Sequence, residues 1–288
     1  MPFQLRPYFP PDFSTPALEN APDAVFRPAP RDGVAPENFH AMSIFPEYFK
    51  IAGQWHLARE SRMDCVAVWD RGRIDVREFR RLRQGEQVAV GRTEQGEEGI
   101  LVHPDGFRER RVARDVFAFR QGRSRETAFS RDYDELYELL RHERDHGKVV
   151  WVMGPAFAFD HDARNAFSRL IAGGYVHAVL AGSIRDDGPL PPVLADVYAA
   201  QDAMRAEIRS ATTVICMATA LHTVATGNMT PSYRVLADGT VRQVYFYCVD
   251  ISEFAVNKLS DRGSLSARGI VTNVQDFIVH LSKELIQP

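Results

Sequence analysis

A chain of 288 residues is long for one domain and suits two. Its 45% hydrophobic and 25% charged residues are those of an ordinary globular protein. A net charge of -3 removes the electrostatic reason to expect nucleic acid or an anionic membrane as partner, leaving a small molecule as the expected ligand. No run is long and apolar enough to span a bilayer, and the amino terminus lacks the basic-then-apolar layout of a signal peptide. Cys65, Cys216 and Cys248 share no metal-ligand spacing. Each lies inside an apolar run, as expected for reduced core thiols of a cytoplasmic protein, and no metal is assigned.

Residues 1 to 40 hold many prolines and little periodicity, which predicts an extended arm, ordered only where it packs on something. Residues 41 to 120 change to short alternating runs: Tyr48-Phe-Lys-Ile, Met63 to Trp69, Gln87-Val-Ala-Val and Gly99-Ile-Leu-Val, with glycines between them. That rhythm predicts a small antiparallel β domain. The polar stretch from Arg120 to Arg131 marks the boundary.

From 130 to 288 strands and helices alternate. A helix is predicted over Tyr133 to His146, stopped by Gly147, then a strand over Lys148 to Met153 that is apolar on both faces. A helix over Asp162 to Ala172, a strand over Tyr175 to Ala181, a helix over Pro192 to Arg209 and a strand over Thr212 to Met217 follow. Ala218 to Ala225 reads as helix, Val244 to Val249 as strand, Ser252 as the cap of a helix reaching Arg262, Gly269 to Thr272 as strand, and Asn273 to Leu285 as helix. Strands buried on both faces and alternating with helices predict an α/β fold. Its parallel sheet is covered on both sides, about five βα units of Rossmann-like type.

Such sheets bind ligands at the carboxyl ends of their strands. The first strand is followed by Gly154-Pro155-Ala156, where a glycine lets backbone approach a phosphate and the next helix favours an anion. Glycine is also common there for steric reasons alone, and no Gly-x-Gly-x-x-Gly is present. The second strand runs into Gly182-Ser-Ile-Arg-Asp-Asp-Gly-Pro-Leu-Pro191, which joins Ser183, Arg185, Asp186 and Asp187 in one turn. Charged residues of this kind are rarely buried unless paired, so the turn is either a solvated corner or a ligand loop. After the third strand, His222 is either a general acid or base or a hydrogen-bonded structural residue. A second polar loop, Gly227-Asn-Met-Thr-Pro-Ser232, follows it. Asp250 ends the fourth strand, where an acidic residue grips ribose hydroxyls or caps the next helix.

Three of these stretches, Leu180 to Pro191, Leu221 to Ser232 and Val249 to Ser264, resemble the alternative ornithine cyclodeaminase family, also described as a lysine-oxoglutarate reductase/saccharopine dehydrogenase-like region. Pro36-Glu-Asn-Phe39 and Met63-Asp-Cys-Val66 are similar to its β domain, so the resemblance spans residues 36 to 286. It implies a nicotinamide-binding domain related in fold to deoxyhypusine synthase. It also implies a reaction in which NAD takes a hydride from the α-carbon of ornithine and returns it as the ring of proline closes and ammonia leaves. On that reading Asp186 and Asp187 hold or deprotonate the substrate amines, Arg185 fixes its carboxylate and His222 is a further catalytic candidate. Gly154, Pro155, Ser183, Gly227, Asn228 and Asp250 contact NAD or NADP.

The chain departs from the family pattern in two places. Leu180-Ala-Gly182 runs straight into Ser183, as if two strand ends had been fused and the segment between them removed. Phe157 and Phe159 also stand where a phosphate would lie. A degenerate, cofactor-free binding or regulatory subunit, or a repurposed amino-acid enzyme, is therefore the competing expectation. A homo-oligomer would cover the apolar edge of a shortened sheet.

Overall fold

The computed structural model describes residues 4–107, 128–181, 196–252 and 267–286. The chain divides into two compact units. The smaller comprises Leu5–Glu109 with Pro231–Gln243; the larger comprises Arg110–Thr230 and Val244–Pro288 together with the first four residues.

The smaller unit is antiparallel. Its strands are β1 (Val25–Pro28), β2 (Glu47–Ile51), β3 (Gln54–Leu57), β4 (Cys65–Asp70), β5 (Arg73–Glu78), β6 (Gln87–Val90) and β7 (Ile100–Val102). They form one sheet in the order β1-β6-β4-β5 and another in the order β3-β2-β7. Phe49, Ile74, Ala67 and Ile100, all fully buried, meet between them. The proline-rich arm is ordered because it packs. It contributes α1 (Pro16–Glu19) and β1, and the Lys50 ammonium donates to the carbonyls of Leu18, Glu19 and Ala21.

The hairpin β11 (Tyr233–Val235) and β12 (Val241–Gln243) departs from the expected division, since it comes late in the chain yet belongs to this unit. Tyr233 Oη donates to the Ala58 carbonyl at 2.8 Å, and Ser232 shares a buried hydrogen-bond cluster with Ser61 and the Ile44 carbonyl. A fully buried phenol needs such an acceptor, which fixes where the hairpin docks.

The larger unit is the expected α/β layer structure. Its parallel strands are β8 (Val149–Met153), β9 (Ala178–Ala181), β10 (Thr213–Met217), β13 (Tyr245–Asp250) and β14 (Ala267–Val271). They lie in the order β14-β13-β10-β8-β9. Every residue of β8 and β10 is buried, as expected of strands covered on both faces. The described helices are α2 (Ala128–His146), α3 (Pro155–Ala158), α4 (His161–Ala172), α5 (Val197–Ser210), α6 (Ala220–Met229) and α7 (Val274–Leu285). Helices α2 and α4 pack on α7, and α5 packs on α6. Trp151 anchors the core: its indole donates to the Tyr175 carbonyl at 3.0 Å, and its ring meets Phe167 edge-on at 5.5 Å.

Two local expectations change. Gly227 and Asn228 are not in a loop, because α6 continues through them to Met229. The hydroxyls of Thr223 and Thr230 bond back to the carbonyls of Thr219 and Thr226, which satisfies them inside the helix and at its end. Phe157 turns into the core against Phe167 at 5.4 Å and crowds nothing at the rim, while Phe159 is 70% exposed. The helix expected from Ser252 to Arg262 lies outside the described residues.

Candidate functional site

The chain passes from β8 to β9 on one side, then crosses to β10 on the other. Strand order therefore reverses between β8 and β10, and sheets of this kind hold ligands in the crevice at the carboxyl ends beside such a reversal. Gly154, Ala218 and Asp250 stand at three neighbouring strand ends.

Backbone hydrogen bonds stitch these ends together. Gly154 N donates to Met217 O at 2.9 Å, and Ala218 N donates to Val249 O at 3.0 Å. A Cβ on Gly154 would lie 2.0 Å from the Ala218 carbonyl oxygen. The neighbouring strand end thus supplies a steric reason for glycine at this position. Ala218 has φ +51, a left-handed conformation that costs a non-glycine residue about 1–2 kcal/mol. Such strain persists where the surroundings over-determine it, and it concentrates at ligand sites. The strained alanine was missed in the sequence because nothing about alanine announces that backbone.

The two helix starts at this point lack the side-chain cap that other helices of the larger unit carry. Asp160, Asp196 and Asn273 each cap their helix with a side-chain oxygen, whereas Gly154 before α3 and Thr219 before α6 make no such bond. Thr219 Oγ1 instead pairs with His222 Nδ1 at 2.5 Å. The N–H groups of Ala220, Leu221 and His222 are therefore left without a cap at the positive end of α6. Pro155 is the first residue of α3, where its missing N–H costs nothing. His222 is half-buried on the first turn of α6, and with Nδ1 held by Thr219, Nε2 is the nitrogen left for proton exchange.

Asp250 lies one strand further on. Its Oδ1 accepts the Ser252 N–H at 2.8 Å, the small turn that an acidic residue at a strand end makes. Burial, followed by the charge of Asp250, pushes the Cys248 thiol up to about 12. Burial also raises the thiol of Cys216, the register partner of Cys248 on β10. Both are inert core groups beneath the crevice.

Gly154, Pro155, His222 and Asp250 are thus brought to one rim. Gly227 and Asn228 are not, since Asn228 lies eight residues beyond Ala220, about 12 Å along the helix axis. Ser183, Arg185, Asp186 and Asp187 lie outside the described residues. The chain enters their segment at Ala181, the register partner of Met153, immediately before Gly154. Among the described residues no group of three or more His, Cys, Asp or Glu is arranged to hold a metal, and no helix is long and apolar enough to cross a membrane.

Comparison with known proteins agrees with this architecture. Residues 176–281 match the family described as arginine dihydrolase ArgZ-like, C-terminal, Rossmann fold. An ornithine cyclodeaminase of Methanopyrus kandleri is 30% identical over 336 aligned positions, covering 90% of this chain and 77% of the relative. Those positions take in about 259 residues here, leaving about 77 opposite gaps. The bifunctional arginine dihydrolase/ornithine cyclodeaminase AgrE of a Nostoc species is 28% identical over 91% of this chain and 47% of its own length. A solved LOR/SDH protein from Methanococcus maripaludis superposes with a TM-score of 0.70 at 25% identity, covering 92% of this chain and 98% of that one. The chain belongs to the ornithine cyclodeaminase family that these archaeal proteins represent.

Proposed function

We propose that this protein converts ornithine, or a closely related basic amino acid, to proline and ammonia with NAD held at the reversal point between β8 and β10. The observation that carries the reading is the meeting of an uncapped helix start, a strained strand end and an acidic strand end at one rim of a Rossmann sheet in a chain of this family. The donor set suits a dinucleotide. The N–H groups of Ala220, Leu221 and His222 would take the pyrophosphate, and the Asp250 carboxylate would accept ribose hydroxyls. When bound, the nicotinamide supplies a reversible hydride acceptor for the substrate's α-carbon.

The net change is redox-neutral. Ornithine loses its α-nitrogen as ammonia, and its side-chain nitrogen closes on the α-carbon to form the ring. Three tasks then fall to side chains. Arg185 would fix the substrate carboxylate, Asp186 and Asp187 would hold the two amines and accept protons from them, and His222 Nε2 would return a proton to the departing nitrogen. Ser183, which opens the same segment, would contact the cofactor. Gly227 and Asn228 are not part of this proposal.

A second reading has its own support. The gaps in the alignment and the half-exposed edge strand β9, with Val179 exposed, fit a shortened domain that serves as a binding subunit or takes another amino acid. The exposed edge also supports a homo-oligomer in which that strand is covered.

Incubation with ornithine, with and without NAD, separates the readings. The proposal expects proline and ammonia in equal amounts, dependence on catalytic NAD, and no accumulation of NADH. Dinucleotide uptake on equilibrium dialysis without ornithine turnover favours a repurposed enzyme, and no uptake at all favours the cofactor-free subunit.

A further inference from the structure

A cavity of about 570 Å3 opens at the far edge of the parallel sheet, between the end of β14 and the first halves of α2 and α7. It lies two strands from β10 and three from β8, about 10–15 Å from the crevice at the spacing of neighbouring strands. Its volume falls within the range of sites for small molecules, about 300–1,000 Å3.

Tyr133 and Tyr137, one turn apart on α2, form one wall, with ring centroids 6.0 Å apart, and Phe277 backs Tyr133 at 5.8 Å. Asp276 and His280, one turn apart on α7, face them, Asp134 stands at the side, and Val271 and Thr272 form the floor. Burial and the charge of Asp276 both raise the Tyr133 phenol, although a hydrogen bond from Thr272 opposes them. Burial pushes Tyr137 up to about 12, with the Tyr133 phenol and the charges of Glu284 and Asp134 adding to it.

No lysine or arginine lines it. The neighbouring guanidinium of Arg141 is engaged by Glu138 at 2.6 Å and Glu284 at 3.0 Å, and that of Arg268 by Glu135. Among the described residues neither Asp134 nor Asp276 has an ion-pair partner. Aromatic faces beside carboxylates that no described cation pairs form the chemical complement of an organic ammonium group, which gains from the ring quadrupole and from the charges together.

We propose that this cavity is a second site, separate from the crevice, that binds a small aliphatic molecule through a primary ammonium group. The inference rests on the cavity alone and stands whether or not ornithine is turned over.

The test is calorimetric titration of the intact protein at low salt with 1,5-diaminopentane, with 1,5-pentanediol as its uncharged counterpart. The diamine binds and the diol does not. Asp276→Asn weakens the diamine about tenfold and Tyr137→Leu about fivefold. Both variants keep the wild-type affinity for NAD, which separates this site from the crevice. Asp134→Asn provides a second charge deletion at an exposed position that no packing depends on, and weakens the diamine as well. Diamine binding that survives Asp276→Asn and Asp134→Asn unchanged, equal binding of the diol, or no binding of the diamine by the wild-type protein would overturn the proposal.

Discussion

Replacing Gly154 by alanine tests the reversal point itself. The backbone at Gly154, φ -86 and ψ 166, suits any residue, so conformational preference costs nothing. The added Cβ would lie 2.0 Å from the Ala218 carbonyl oxygen, 2.8 Å from its carbon and 3.0 Å from Thr219 Cβ. Two of these atoms are backbone, so relief requires the strand ends to part. Overpacking of this kind costs roughly 1–3 kcal/mol. Stretching the Gly154–Met217 hydrogen bond adds roughly 0.5–1.5 kcal/mol, for a total of about 1.5–4.5 kcal/mol. Urea unfolding followed by Trp151 emission, in a background where Trp55 and Trp69 are phenylalanine, reads the larger unit alone. Gly53→Ala in the other unit is the contrasting case. Its φ is +76 with nothing within 4 Å of the new Cβ, so it costs only the backbone term, about 1 kcal/mol. A loss below about 0.5 kcal/mol for Gly154→Ala would refute the claim that the two strand ends are locked together.

Asp250→Asn should weaken NAD binding by about tenfold or more while shifting the urea midpoint little, since the asparagine keeps the turn to Ser252 but loses the charged acceptor; equilibrium dialysis measures it. All three cysteines are buried, so a thiol reagent should find none in the native protein and three after denaturation, as read by absorbance. Cys248 has its folded pKa raised from near 9 to about 12, so the native state holds its proton more tightly than the unfolded chain. Its contribution to stability is complete below pH 9 and is lost between pH 9 and 12, at up to about 1.4 kcal/mol per pH unit, a slope that Cys248→Ala should remove from the denaturation profile. Asp160→Ala deletes the oxygen that caps α4 through the Ala163 N–H at 2.7 Å, which should cost roughly 0.5–2 kcal/mol in thermal unfolding.

The parallel sheet was legible because Val149–Met153, Val214 to Met217 and Tyr245 to Val249 are unbroken apolar runs, the mark of strands with no wet face. Glycines and capping residues placed the helix ends to within a few residues. What sequence reading missed has long-range or conformational causes. The hairpin at Tyr233 joins the β unit through bonds to Ala58, Ser61 and Ile44, partners about 170 to 190 residues away that leave no local trace. Gly227-Asn228 looked like loop because glycine and asparagine break helices on average, yet packing and the bonded threonine hydroxyls hold the turn. Phe157 looked like an obstacle because its direction was unknown until Phe167 was seen beside it. At the candidate site, Gly154, His222 and Asp250 were singled out by their place after strands, while Ala218 and Thr219 needed backbone angles and a hydrogen bond to be seen.

The fate of the substrate's α-nitrogen tests the proposed chemistry most directly. Ornithine carrying nitrogen-15 only at its α-amino group should yield labelled ammonia and unlabelled proline when incubated with the protein and catalytic NAD. Label retained in proline, or no proline at all from protein that has taken up NAD, would contradict it.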